Sequence, residues 1–192
     1  WSAHWIGSAE LESQSVGGRP VDNKMFDPWF RKTFTLTESL KEALIYVASI
    51  GYHELYVNGC KIGNAVLAPS VTDHKSRARY VTYDISHYLK KGENVIALWL
   101  GTSWAVFPAY QRNDKPAIPM ALGQAEITLT SGSKVRVITD GSWKTHASPN
   151  VLMGYWDAHH FAGEFYDASL EINGWNEAGF DDSEWAEAKV YQ

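Results

Sequence analysis

Short apolar and β-branched runs, separated by turn residues, recur along most of the chain. Residues 44–50, 54–57, 81–83, 94–100 and 163–170 each have the length of a strand. The run at 94–100 (NVIALWL) is apolar at almost every position, which is typical of a central strand covered on both faces. The pattern therefore predicts strands nearly everywhere.

Turn residues between these runs predict two hairpins. Asn58-Gly59 joins two strand-like runs, and this pair favours a type I′ turn because both of its residues tolerate a positive φ. Ser131-Gly132 predicts a second hairpin between residues 124–130 and 134–139. Only the segment from Asp84 to Leu89 is expected to be helical, with Asp84 as its N-cap.

This arrangement predicts an all-β fold, a β-sandwich or jelly roll with at most one short helix. We expect residues 1–28 to be an irregular lead-in, 29–172 to form the sandwich, and 173–192 to be a linker or the start of a next domain. Residues 104–119 contain three prolines and no periodicity, so they predict a long ordered loop, where functional residues are often found.

Composition and charge narrow the classes of partner. The chain of 192 residues has a net charge of −5, which argues against nucleic acid and anionic membranes. It contains nine Trp, ten Tyr and seven Phe, side chains that suit strands and the flat faces of sugar rings. Cys60 is its single cysteine, so an intrachain disulfide is excluded. Because it begins at Trp1, we expect a piece of a longer chain.

Two segments resemble a known family. Residues 51–104 contain a Tyr-x-Asn-Gly hairpin, Leu-Ala-Pro-x-x-Thr-Asp-His, Arg-x-x-Tyr and Gly-Glu-Asn, and residues 163–170 read GEFYDASL, followed by GWNEAGFDDSEW at 174–185. Together they resemble the N-terminal domain of bacterial α-L-rhamnosidases of glycoside hydrolase family 78. The hairpin and the Gly-Glu-Asn turn also resemble the N-terminal sandwich of β-galactosidase-like enzymes.

The resemblance implies a galactose-binding-like sandwich that is a non-catalytic carbohydrate-binding module. Rhamnosidases of this family carry their acid and base on a separate (α/α)₆ barrel, for which this chain lacks the helical segments, and the parent is expected to hydrolyse terminal α-L-rhamnose at the periplasm, cell surface or outside the cell. Two alternatives stay open: a structural domain that packs on the catalytic domain of the same chain, and the sugar-binding domain of a β-galactosidase-like glycosidase.

The resemblance also implies a ligand site. Related modules hold rhamnose through a calcium ion, and the matching positions are Asn113 and Asp114, the aromatic Trp143, and Asn173. Asp114 would be the calcium ligand, because calcium prefers carboxylate and carbonyl oxygens. The alternative is an ordinary polar loop, with Trp143 as a core aromatic.

The long loop offers a second set of sugar-binding candidates. Trp104, Phe107 and Tyr110 predict either a platform on which sugar rings stack or a surface that packs against the catalytic domain.

Other polar groups are expected to be structural. Asp181 and Asp182 are interpreted as turn caps, and Glu164 and Asp167 as residues on opposite faces of a strand. The remaining groups are a cluster without metal-ligand spacing, interpreted as loop residues, and two arginines, interpreted as surface salt-bridge partners: Asp157, His159, His160 and Glu164; Arg77 and Arg79.

Overall fold

The computed structural model describes residues 1–16, 19–20, 25–107, 115–154, 159 and 162–192. Their strands are β1 (Trp5–Gly7), β2 (Ser15–Val16), β3 (Arg19–Pro20), β4 (Phe26–Leu36), β5 (Leu40–Ile50), β6 (Tyr52–Val57), β7 (Cys60–Lys61), β8 (Tyr80–Asp84), β9 (Gly92–Gly101), β10 (Met120–Leu129), β11 (Lys134–Ile138), β12 (Lys144–Met153), β13 (Gly163–Tyr166), β14 (Ala186–Glu187) and β15 (Lys189–Tyr191).

Within the described residues, the longer strands form two antiparallel sheets. The first sheet has the order β15-β1-β10-β5-β8, with β11 beside β10. The second has the order β13-β12-β4-β9-β6-β7, with β14 beside β12. The predicted all-β sandwich is confirmed. Both predicted hairpins are present too, with φ of 49° at Asn58 and 83° at Gly59 in the first, and 89° at Gly132 in the second.

The main core lies between the two sheets and follows the two-residue alternation of the strands. In β9, Ile96, Leu98 and Leu100 point into this core, whereas Ala97 and Trp99 point to the outer face of the second sheet. β9 lies between β4 and β6, as expected for a strand that is apolar on both faces.

The expected helix is a hydrogen-bonded turn. Ser86 N–H donates to Asp84 Oδ1 at 2.9 Å, and Tyr88 N–H donates to Ile85 O at 3.1 Å, but no helical turn continues from there. The helical pieces that the described residues do contain are 3₁₀ turns at Ala9–Gln14, Ser103–Val106 and Ala168–Leu170.

Both ends of the chain are part of the sheets. β1, inside the predicted lead-in, pairs with β10 and with β15 near the C-terminus, and β14 pairs with β12. The predicted boundaries at 29 and 172 therefore do not coincide with the ends of the sheets. Strands of two or three residues carry too little periodicity to be distinguished from loops in a sequence.

Candidate functional site

A cleft of about 410 Å³ opens on the outer face of the second sheet. Trp99 and Gly101 of β9 line it, with Tyr166 of β13 and the loop at Val66 and Leu67 around them. Val66 is 77% exposed and Leu67 68%. Concave sites that combine aromatic side chains with a few polar groups are typical of ligand sites, so we call this the Trp99 cleft.

The loop with Val66 and Leu67 forms an apolar wall of the Trp99 cleft, and its backbone conformation is unusual. Leu67 has a φ of 54°, in the left-handed region that is rare for a large side chain without a local hydrogen-bonding group. The His53 N–H donates to Ala68 O at 2.9 Å, which ties this loop to β6. The protein thus keeps two large apolar side chains in solvent beside the cleft, an arrangement more typical of binding surfaces than of ordinary loops.

Residues 175–185, which we call the C-terminal segment, cover the rest of the outer face of the second sheet. Trp175 stacks on Trp29 of β4, with ring centroids 4.5 Å apart and planes 11° from parallel, and Trp185 lies parallel to Trp29 at 6.3 Å. The buried Arg31 guanidinium donates to Glu177 O at 2.9 Å and forms an ion pair with Asp182. This segment leaves Trp99 only half-buried.

Aromatic groups form one side of the Trp99 cleft. The ring of Trp99 lies 6.4 Å from that of Tyr166, and its Nε1 donates to Ser148 Oγ at 3.1 Å, so the indole is fixed in orientation. The Tyr52 hydroxyl accepts a hydrogen bond from Trp104 Nε1 at 2.6 Å. An indole held in this way can offer an apolar face to the C–H side of a sugar ring.

Asp27, at the base of the cleft, is 2% exposed and fully hydrogen-bonded. Its Oδ1 accepts from the Thr102 N–H and hydroxyl, each at 2.6 Å, and its Oδ2 accepts from Asn150 Nδ2 at 2.6 Å. Burial is the largest effect on its pKa and raises it to about 7, against the lowering effect of the hydrogen bonds. The nearby Glu164 carboxylate raises it further.

His53, also in the lining, is buried and held between two hydroxyls. Its Nδ1 lies 2.9 Å from Ser49 Oγ and its Nε2 3.0 Å from Tyr83 Oη. Burial lowers the pKa of His53 to about 4, so the imidazole is neutral near neutral pH. The polar groups of the cleft thus consist of carboxylates, hydroxyls, an amide and a neutral imidazole, and the described lining has no Lys or Arg.

Of the candidate residues from the sequence, those that the structure describes, Trp104, Trp143 and Asn173, lie in different environments. Trp143 is 1% exposed in the main core, and its Nε1 donates to Ile138 O at 2.7 Å. It is therefore a core aromatic, as in the alternative interpretation. Trp104 is half-buried beside Tyr52, and Asn173 is exposed. Tyr110, Asn113 and Asp114 lie outside the described residues.

The structural interpretations of the other groups hold for some members. Asp181 Oδ1 accepts from the Ser183 N–H at 3.0 Å, as a turn cap should, whereas Asp182 pairs with Arg31 instead. Asp167 caps the 3₁₀ turn at Ala168–Leu170, and Glu164 lines the Trp99 cleft.

Among the described residues, no three or more His, Cys, Asp or Glu side chains are placed to hold a metal ion, and Asp157 and His160 lie outside those residues. Arg79 donates to Ser70 Oγ rather than to a carboxylate, and Arg77 lines a second cleft.

The side chains that build the Trp99 cleft were not predicted from the sequence. Asp27 and Asn150 are isolated polar residues inside strands, and only the pairing of β4 with β12 brings them together. Trp99 could have been recognised as a candidate, because it is a large aromatic at an outward position of a central strand.

Comparison with known proteins decides the family. The family model described as "Alpha-L-rhamnosidase N-terminal domain" matches residues 38–192. The chain belongs to this family. An α-L-rhamnosidase of Formosa agariphila is 30% identical over 198 residues, which covers 100% of this chain and 20% of that protein. The chain thus spans about a fifth of the length of this relative.

Two solved rhamnosidase structures share the fold of this α-L-rhamnosidase N-terminal domain. The structure of the enzyme from Dictyoglumus thermophilum has a TM-score of 0.81 and 32% identity, and the match covers 100% of this chain and 21% of that one. The Streptomyces avermitilis α-L-rhamnosidase, solved in complex with L-rhamnose, has a TM-score of 0.77 and 28% identity over 90% of this chain and 16% of that one. Within the described part of the chain, no helix is long and apolar enough to cross a membrane.

Proposed function

We propose that this chain is a carbohydrate-binding domain of an α-L-rhamnosidase and that the Trp99 cleft holds a sugar of an L-rhamnose-containing glycan. The single observation that carries the proposal is the half-buried Trp99 ring, fixed by Ser148 on one side of a cleft lined by apolar and polar groups. Sugar rings have an apolar face and a polar edge, and this cleft offers groups for both.

We infer that hydrolysis takes place in another part of the parent protein. Inverting glycosidases need an acid and a base whose carboxyl groups are about 6.5–9.5 Å apart with room for a water molecule. In the Trp99 cleft both oxygens of Asp27 are occupied by Thr102 and Asn150. Glu54 is bonded to Tyr56 and Lys61. Asp27 and Glu54, two of the three carboxyl groups of the lining, thus support a binding role rather than catalysis.

A second candidate function is a structural one, in which the domain packs on the catalytic domain of its own chain. Phe165 is 56% exposed on β13, and Met153 lies on the same face of the neighbouring strand β12. Exposed apolar side chains that adjoin one another favour contact with another protein surface. This surface faces away from Tyr166 and the cleft, so the two functions are compatible.

Calorimetric titration of the chain with methyl α-L-rhamnoside, first with calcium and then with EDTA, tests the binding function. We expect saturable binding, and Trp99→Ala should weaken it by about tenfold or more through loss of the stacking face. Trp99→Phe should retain part of the affinity. Trp1→Ala, which removes an exposed indole beside Tyr46 and Tyr80, is the matched control and should leave binding unchanged.

The same titration separates the cleft from the loop that the resemblance implies. If Asp114→Ala abolishes binding and Trp99→Ala does not, the ligand site is the loop. Calcium dependence lost together with Asp114 would then identify the loop as a metal site. Absence of heat at millimolar sugar, with calcium and with EDTA, would leave the structural function as the better account.

A further inference from the structure

A second cleft, of about 250 Å³, lies at one end of the first sheet and shares no lining residue with the Trp99 cleft. Four side chains from different strands form its apolar floor: Trp5 of β1, Ile50 of β5, Met120 of β10 and Tyr191 of β15. Met120 and Tyr191 are buried in a core cluster, and Trp5 and Ile50 pack against it. The floor is therefore a fixed part of the fold.

The rim of this second cleft is cationic. Lys75, Arg77 and Lys115 all line it. Among the described residues none of these three side chains forms a hydrogen bond or an ion pair, and no Asp or Glu side chain lines the cleft. Three cations around one concavity, with no acidic side chain in the described lining, form a local site of positive potential.

The loop that carries two of these cations is ordered by its own hydrogen bonds. Ser76 N–H and Arg77 N–H both donate to Asp73 O at 3.0 Å, and the buried Thr72 hydroxyl donates to Arg77 O at 2.9 Å. The Asp73 carboxylate accepts from the Lys75 N–H at 3.0 Å, so it is directed into the turn. A backbone fixed in this way lowers the entropy that a ligand must remove when it binds.

We propose that this second cleft binds an anionic sugar, a ring of hexose size that carries a carboxylate or a sulfate ester. The ring lies on the floor beside Trp5 and Tyr191, and the anionic group is held by Arg77 and Lys115. Guanidinium groups bind carboxylate and sulfate oxygens with paired, charge-assisted hydrogen bonds. The Trp99 cleft would repel the same ligand, because the carboxylates of Glu54 and Glu164 line it.

The test uses methyl α-D-glucuronide and its neutral counterpart methyl α-D-glucoside, titrated into the 192-residue chain at low salt. We expect the glucuronide to bind about tenfold more tightly than the glucoside, because a charge-assisted hydrogen bond contributes more than a neutral one. Added sodium chloride should weaken the binding through screening. A sulfated monosaccharide, titrated in parallel, shows which anionic group the cleft prefers.

Arg77→Gln and Lys115→Gln should each weaken glucuronide binding by about fivefold or more. Lys41→Gln is the matched control, because Lys41 is an exposed cation near the other end of β5, the strand that ends at Ile50. Equal binding of glucuronide and glucoside, no binding of either anionic sugar, or equal affinity for inorganic sulfate alone would overturn the proposal. Trp99→Ala should leave glucuronide binding intact, so this proposal and the proposed function fail independently.

Discussion

Gly51 separates the two clefts by a single residue. It follows Ile50, which lines the second cleft, and precedes Tyr52, which lines the Trp99 cleft. Its φ is 93°, and a Cβ added here would collide with the backbone oxygen of Gly101, which also lines the Trp99 cleft. A glycine at this position therefore allows the chain to pass directly from one sheet to the other.

Replacing Gly51 by alanine should cost more than the conformational penalty alone. Gly132 has a similar φ of 89° but nothing within 4 Å of an added Cβ, so Gly132→Ala isolates the conformational cost of about 1 kcal/mol. Because the Gly101 backbone cannot move without disturbing β9, we expect Gly51→Ala to lower the free energy of unfolding by about 3 kcal/mol or more. Urea unfolding of both variants measures the difference. Equal losses would show that the crowding at Gly101 is relieved at little cost.

Among the elements, the C-terminal segment is held on the outer face of the second sheet by Arg31. Arg31 donates to Glu177 O and Phe180 O and pairs with Asp182, and its guanidinium lies 5.2 Å from the Phe180 ring centroid. The hairpin also holds the segment, because the Gly59 N–H donates to Asn176 O at 2.8 Å. The segment covers Trp29 through Trp175 and Trp185, and none of its residues lines the Trp99 cleft.

Arg31→Met should release this segment. Its carboxylate and carbonyl partners would lose their donor, and breaking a buried ion pair of this kind typically costs about 3–5 kcal/mol. We expect the tryptophan emission to shift to longer wavelength as Trp175 and Trp185 become exposed, and proteolysis to begin after residue 172. Lys32→Met, which removes the 2.6 Å contact to Ser142 Oγ from the same strand, should change neither readout.

The sequence predicted strands and hairpins correctly where the residues that determine them are neighbours in the chain. Asn58-Gly59 predicted its hairpin because the turn needs positive φ at two adjacent positions, and NVIALWL predicted a central strand because both faces are apolar. The strands β1, β14 and β15 could not be predicted, since each is defined by a partner more than 40 residues away. The Trp99 cleft was missed for the same reason.

The whole domain combines two clefts of opposite charge on one sandwich. The Trp99 cleft is lined by carboxylates on the second sheet, and the second cleft by cations at the end of the first. Each is built where strand ends meet loops, and the floor of the second cleft belongs to the core cluster that contains Met120 and Tyr191. Although the chain has a net charge of −5, its positive and negative electrostatic potentials lie at different clefts. This distribution suits a ligand with neutral and anionic parts.

Two buried groups of the Trp99 cleft give the stability of the whole domain opposite dependences on pH. Asp27 holds its proton up to about pH 7 when folded and releases it near 3.8 when unfolded, so its contribution to stability falls as the pH rises through this window. His53 titrates at about 4 when folded and near 6.5 when unfolded, so its contribution rises over that range. From about pH 4 to 6.5 the two slopes oppose each other.

Asp27→Asn should remove the contribution of Asp27 to the pH dependence of stability and leave that of His53 unopposed. An asparagine oxygen can still accept from Thr102, and Asn150 can turn its amide to accept from the new NH₂ group, so the fold should persist. Between about pH 4 and 6.5 the free energy of unfolding of the variant should rise with pH more steeply than that of the wild type, by up to about 1.4 kcal/mol per unit, because only the wild type has the opposing Asp27 contribution. His74, whose pKa burial also lowers, adds the same sign to both proteins. Urea unfolding across this pH range measures both curves. Parallel curves would mean that Asp27 is ionised in the folded domain at these pH values, and that its three hydrogen bonds outweigh the cost of burial.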